Sequence, residues 1–84
     1  MSTHAIDVTG DRQIGSPYYP EVDVQVFLKF TGKAHIYVDG VLIQTGVNSL
    51  SSFVVPAGKS FLIASDRDDP LHISKWIEME LGEN

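Results

Sequence analysis

In the stretch Val22–Phe30 every second residue, starting from Val22, is apolar. One face carries only apolar side chains, from Val22, Val24, Val26, Leu28 and Phe30. The opposite face is polar except at Phe27. A period of two residues is typical of a β-strand with one buried face. We therefore predict a strand over Val22–Phe30 and further strands that pair with it in a sheet.

Two turn sequences follow this strand. Asp39–Gly40 separates the alternating segments Ala34–Val38 and Val41–Gln44. Asp-Gly in that setting favours a tight hairpin, because both central residues of the turn need positive φ. Thr31–Lys33 predicts another tight turn, since it holds Gly32 between two strand-like segments. The three strands are therefore expected to form an antiparallel meander.

The second half of the chain predicts shorter strands. Thr45–Leu50 is rich in Gly, Asn and Ser and indicates a loop, and Pro56–Gly58 and Asp66–Pro70 indicate turns. The strands predicted around them are Ser52–Val55, Ser60–Ser65 and Leu71–Leu81. For the last of these, a helix is the alternative.

The first 21 residues differ from the rest. Ala5–Val8 has the composition of a short strand, and further on Pro17 and Pro20 bracket two tyrosines, which is incompatible with a regular strand or helix. We interpret residues 1–21 as an extended N-terminal arm with a possible first strand, and residues 22–84 as a single β-domain. The expected fold is all-β: a small antiparallel β-sandwich or barrel of six to seven strands.

Composition narrows the functional classes. The chain has 84 residues, no cysteine and a formal net charge of −5. A domain of this size without disulfides depends on packing or on partner subunits, so a homo-oligomer or larger protein assembly is expected. Its few basic residues are scattered, which disfavours nucleic acid. No long apolar run suits a membrane and no signal peptide is recognisable, so we expect a cytoplasmic protein.

Residues with catalytic or metal-binding chemistry do not form a recognisable motif. The acidic segment Asp66–Asp69 lacks the spacing of a calcium loop and fits a turn before Pro70. The serines lie in loop-like sequence rather than in a nucleophile elbow. None of the three histidines has the short spacing of a zinc-ligand pair: His4, His35 and His72. We predict a non-enzymatic protein with no catalytic residues, no cofactor and no metal.

Several large side chains fall opposite the predicted core faces. In the last strand, Ile77 and Met79 are expected to face the core, which leaves Trp76 on the outer face. The functional interpretation is an exposed patch for protein association or sugar stacking. The alternative is that a β-bulge shifts a register or that the arm covers these side chains. The patch would comprise Tyr18, Tyr19, Phe27, Tyr37, Leu42, Leu62 and Trp76.

Two segments, Ser52–Phe61 and Ile36–Val41, resemble segments of small β-sandwich modules in tailed-bacteriophage virions, such as capsid decoration, tail and fibre proteins. The resemblance implies a stand-alone assembly protein or virion component. We therefore expect a structural protein that associates with itself or with a larger complex, with arm residues Gly15–Glu21 as one contact. The alternative is a carbohydrate- or ligand-binding module that uses Tyr37 and Trp76.

Overall fold

The computed structural model describes residues 4–81, and in this range every regular element is a β-strand. All strand pairs are antiparallel. The prediction of an all-β fold is confirmed, and the segment around residues 71–81 is a strand, not a helix. The strands are β1 (His4–Asp7), β2 (Val24–Thr31), β3 (Lys33–Val38), β4 (Val41–Val47), β5 (Leu50–Val55), β6 (Phe61–Ser65) and β7 (His72–Glu80).

The strands form two sheets that pack face to face. One sheet has four strands in the order β1-β7-β2-β5, and the other has three in the order β4-β3-β6. Phe61 of the smaller sheet lies 6.0 Å from Phe53 and 6.4 Å from Trp76 of the larger sheet, measured between ring centroids. Burial of each large apolar side chain contributes about 1.5–3 kcal/mol. The most completely buried side chains are Phe61, Ile36, Ile63, Val26 and Val55.

The chain crosses from one sheet to the other at Gly32. β2 pairs with β5 and β7, whereas β3 pairs with β4 and β6, so the predicted meander is wrong at this turn. Gly32 has φ +84°, and a Cβ there would overlap the carbonyl oxygen of Pro70. The N–H of Gly32 donates to Oδ1 of Asn48 (2.6 Å), and the N–H of Asn48 donates to the carbonyl oxygen of Gly32 (2.9 Å). The turn at Gly32 is therefore hydrogen-bonded to Asn48, which lies where the chain crosses back between the sheets, from β4 to β5.

The connection from β4 to β5, which contains Asn48, is short. β4 continues to Val47 and β5 begins at Leu50, so the loop predicted over Thr45–Leu50 is reduced to Asn48 and Ser49. Pairing with the neighbouring strands outweighs the low strand propensity of Gly and Ser in this segment. By contrast, the hairpin predicted between β3 and β4 is confirmed, because Asp39 (φ 54°) and Gly40 (φ 78°) both adopt positive φ.

A β-bulge in β7 changes which side chains face the core. Lys29 pairs with Lys75 and Phe30 with Ile73, which leaves Ser74 as the extra residue. The bulge lets Ile73 and Trp76 both point inward. The inner and outer faces of the residues after Trp76 are therefore exchanged relative to the prediction. Ile77 and Met79 therefore lie on the outer face, and the core assignment made for them from the sequence is wrong.

The N-terminal residues 4–21 pack against the same domain. β1 pairs with β7, and Val8 is buried in the core. The chain then runs along the outer edge of β6, where the N–H of Gly15 donates to Ile63 O (2.7 Å) and the N–H of Tyr18 donates to Phe61 O (3.0 Å). This segment covers an edge that would otherwise be open.

Candidate functional site

One side of the molecule is formed by residues without charge. Residues 40–58 contain no Asp, Glu, Lys, Arg or His, and they include both β4 and β5. β4 is the end strand of the three-stranded sheet and β5 is the end strand of the four-stranded sheet. Gln44 joins the two edges, since its Nε2 donates to Ser52 O (3.1 Å) and its Oε1 accepts from Ser51 Oγ (3.0 Å). We call residues 40–58 the uncharged side.

The uncharged side exposes a concentration of large apolar side chains. Single exposed apolar residues are common on protein surfaces, whereas a continuous group marks a contact surface. Within residues 4–81, β4 pairs only with β3 and β5 pairs only with β2, so each has one free edge. The exposed residues are Val41 (61%), Leu42 (49%), Ile43 (45%), Val47 (51%), Leu50 (75%) and Val54 (50%).

The other two sheet edges are protected. β6 is covered by residues 15–18, as described above. β1 is only four residues long and carries polar groups, with His4 Nε2 lying 3.1 Å from Glu80 Oε1 and Asp7 Oδ2 lying 3.8 Å from Lys75 Nζ. Short strands, charges and covering segments are the usual means by which proteins prevent edge-to-edge pairing. In the part of the chain that the structure describes, neither β4 nor β5 has any of these three protections.

Three of the predicted patch residues meet on the outer face of the three-stranded sheet. Tyr37 is the direct cross-strand partner of Leu42 on one side and of Leu62 on the other. A bulge at Ile43 produces this row, because Ile36 pairs with Gln44 and Tyr37 with Leu42. The row continues the uncharged side onto the sheet face, and a shallow groove of ≈ 240 Å³ lies beside Tyr37 and Leu62.

Phe27 lies on the opposite outer face, that of the four-stranded sheet. It is half-buried and pairs across the sheet with Ile77 and Ser52. An open groove of ≈ 350 Å³ runs past its ring toward Leu50. Phe27 and Tyr37 are therefore on different faces, and the predicted patch is two separate surfaces.

Trp76 does not belong to any surface. Its side chain is 3% exposed, because the bulge at Ser74 turns it into the core. Tyr18 packs against it with perpendicular rings whose centroids are 6.3 Å apart, and the Tyr18 hydroxyl accepts the N–H of Gln13 (2.7 Å). Of the two arm tyrosines, only Tyr19 is exposed, at 68%. The carbohydrate site predicted from Tyr37 and Trp76 is wrong, because these side chains do not share a surface.

An ion pair that the sequence did not indicate fastens the N-terminal segment. Glu78 points inward from β7 and is 8% exposed, and its carboxylate accepts two hydrogen bonds from Arg12. These bonds raise the pKa of the Arg12 guanidinium above its ordinary value. Arg12 also lies over the Tyr18 ring, 4.9 Å from its centroid. We interpret the pair as structural, since its two hydrogen bonds join the N-terminal segment to the inward face of β7.

In the acidic turn Asp66–Asp69, the Asp66 carboxylate is hydrogen-bonded to other groups of the protein. His35 Nε2 lies 2.9 Å from Asp66 Oδ1, and Asp66 Oδ2 accepts the N–H of Asp68 (3.0 Å). These hydrogen bonds, that from His35 first, lower the pKa of Asp66. Among residues 4–81, no three His, Cys, Asp or Glu side chains are grouped so that they would hold a metal ion.

Comparisons with known proteins add no relative. A scan against protein-family models finds no match, and neither the curated proteins nor the solved structures give one. A helix long and apolar enough to cross a membrane does not occur in residues 4–81. The candidate site is therefore defined only by the structure, namely the free edges of β4 and β5 and the outer faces of the two sheets.

Proposed function

We propose that this protein is a non-enzymatic assembly protein whose copies associate through the uncharged side. The observation that carries the proposal is the pair of free edge strands, β4 and β5, which expose apolar side chains and carry no charge. Free edges pair readily with other strands unless something prevents it.

Charge distribution favours a second copy as the partner. The chain has a net charge of −5, so two copies repel each other over most of their surfaces. The uncharged side is where two copies approach with the least repulsion. A basic partner protein would gain more from the acidic surfaces than from this one.

A two-fold arrangement gives the simplest geometry. Antiparallel pairing of β4 with β4 of a second copy would extend the three-stranded sheet across the interface and bring Val41 and Ile43 of both copies together. Leu50 and Val54 lie outside this contact, because they pair with Lys29 and Gln25 and project from the outer face of the four-stranded sheet. The resemblance of Ser52–Phe61 and Ile36–Val41 to phage virion modules makes a virion component our proposed setting for this assembly.

The test is the mass of the protein in solution, measured by light scattering over a concentration series. We expect more than one chain per particle, and a single chain for the double variant Val41→Lys/Ile43→Lys, because charges on an edge strand oppose pairing. Ile14→Lys is the matched control, since Ile14 is also exposed (39%) but lies away from β4 and β5. Circular dichroism checks that each variant keeps its strand content. A wild-type monomer at every concentration would overturn the proposal.

A further inference from the structure

The groove beside Phe27 has a charge pattern unlike the rest of the protein. Lys29 and Lys75 are direct cross-strand partners, and both side chains point outward at the groove. Like charges directly opposite each other in a sheet are unfavourable. The chain has only six Lys and Arg residues, so the placement of two of them side by side is not explained by solubility alone.

These two cations are only partly neutralised. Lys75 Nζ lies 3.8 Å from Asp7 Oδ2, and both side chains are more than half exposed, so this ion pair is weak. Lys29 forms no ion pair with any residue in the range 4–81. One positive charge, that of Lys29, therefore stands free in the groove, directly across from Leu50.

The rest of the groove is apolar. Phe27 and Leu50 are among its lining residues, together with Ser52, the cross-strand partner of Phe27. Its volume of ≈ 350 Å³ lies at the lower end of the range for small-molecule sites, about 300–1,000 Å³. An apolar cleft with a few placed polar groups is the usual form of such a site.

We infer that this groove binds a small amphipathic carboxylate, with its apolar chain along Phe27 and Leu50 and its carboxylate beside Lys29 and Lys75. A carboxylate between the lysines relieves their mutual repulsion, and burial of the apolar chain supplies the remaining binding free energy. A large polyanion does not fit, because the net charge of −5 repels it outside this small area. This site is separate from the self-association proposed above, which depends on β4.

The experiment is a titration of the ¹⁵N-labelled protein with octanoate, followed by NMR. We expect saturable shifts confined to amides of residues 27–29, 50–52 and 75. Octanol, which has the chain without the charge, and acetate, which has the charge without the chain, are expected to bind more weakly than octanoate. Lys29→Gln is expected to weaken octanoate binding about twofold to fivefold, the range for one exposed ion pair. The matched control Lys59→Gln, whose lysine pairs with Asp39 away from the groove, should bind as the wild type does.

Three results would overturn the inference. Equal affinity for octanol and octanoate would show an apolar surface without an anion site. Shifts that spread over the protein without saturation would show detergent-like contact. A loss of solution mass in Lys29→Gln, with no saturable octanoate binding, would show that a second copy fills the groove. The light-scattering test of Val41→Lys/Ile43→Lys is independent of octanoate, so failure of one proposal is distinguishable from failure of the other.

Discussion

Arg12 and Glu78 are joined by two parallel hydrogen bonds, Nε to Oε2 and Nη2 to Oε1, each 2.9 Å long. The pair links the segment after β1 to the inward face of β7. Removing one partner of a buried pair costs more than the pair itself contributes, because the remaining charge is left without compensation. Glu78 is the partner that would be left buried.

We therefore expect Arg12→Met to lower the free energy of unfolding by about 2–4 kcal/mol, somewhat less than for a fully buried pair because the Arg12 side chain is 29% exposed. The double variant Arg12→Met/Glu78→Met should recover most of this loss, since it leaves no buried charge. Urea denaturation measures both. A loss below about 0.5 kcal/mol in Arg12→Met, the level of ordinary surface substitutions, would contradict a structural role for the pair.

The crossing at Gly32 makes a sharper prediction. Gly32→Ala combines an unfavourable φ of +84° with overlap between the new Cβ and the carbonyl of Pro70. Gly10→Ala is the matched control, because Gly10 has φ +88° but open space around it. The control should cost about 1–2 kcal/mol from backbone conformation alone. Gly32→Ala should cost clearly more or prevent folding, and equal midpoints in thermal denaturation would show that the Pro70 contact is soft.

Asp66 gives a pH-dependent prediction with a definite sign. Its pKa is lowered in the folded protein, chiefly by the hydrogen bond from His35, relative to an ordinary value of 3.8. A lowered folded pKa means that the contribution to stability is complete above the unfolded pKa and is lost as the pH falls through the folded one.

The difference in free energy of unfolding between wild type and Asp66→Asn should therefore shrink as the pH falls below about 5. In the background of His35→Gln the same difference should depend less on pH, because the main hydrogen bond is gone. Urea denaturation between pH 2 and 7 measures both series. A difference that grows as the pH falls below about 5 would have the wrong sign for this contact.

Trp76 is the one tryptophan of the chain, so its fluorescence reports directly on its position. Because it is buried, its emission should lie at shorter wavelength in the folded protein than in urea. Acrylamide should quench the folded protein much less than the unfolded one. Strong quenching of the folded protein would instead place Trp76 on the surface.

Features of this structure that depend on neighbouring residues can be predicted from the sequence, whereas features that depend on distant residues cannot. The strand predicted over Val22–Phe30 and the turn at Asp39–Gly40 follow from patterns within a few residues. The turn is predicted correctly, and the strand is found over Val24–Thr31, with Val22 exposed (37%) before it. The turn at Gly32 resembles a hairpin locally, but its conformation depends on Pro70 and Asn48. No short-range pattern indicates a contact with those residues.

The same reasoning applies to β7 and the candidate site. Ile77 and Met79 look like core residues beside Glu78, and only the bulge at Ser74 together with Arg12, 66 residues away from Glu78, reverses the order. Alternation predicts that Tyr37, Leu42 and Leu62 face outward, but their alignment in one row depends on the bulge at Ile43 and on the pairing of β3 with β4 and β6. The uncharged side is visible in the sequence as a gap between charges at Asp39 and Lys59. That this gap contains two edge strands depends on the strand order, which the sequence does not specify.

The pairing of β1 with β7 has a consequence for how the domain connects to other chains. His4 lies directly opposite Glu80, so the two ends of the described chain leave the domain at the same corner. A domain of this kind can be inserted into a surface loop of a host protein with short linkers on both sides, since its entry and exit points are adjacent. The corner is formed by β1, at the opposite end of the four-stranded sheet from β5, so a host fused there would leave the uncharged side open.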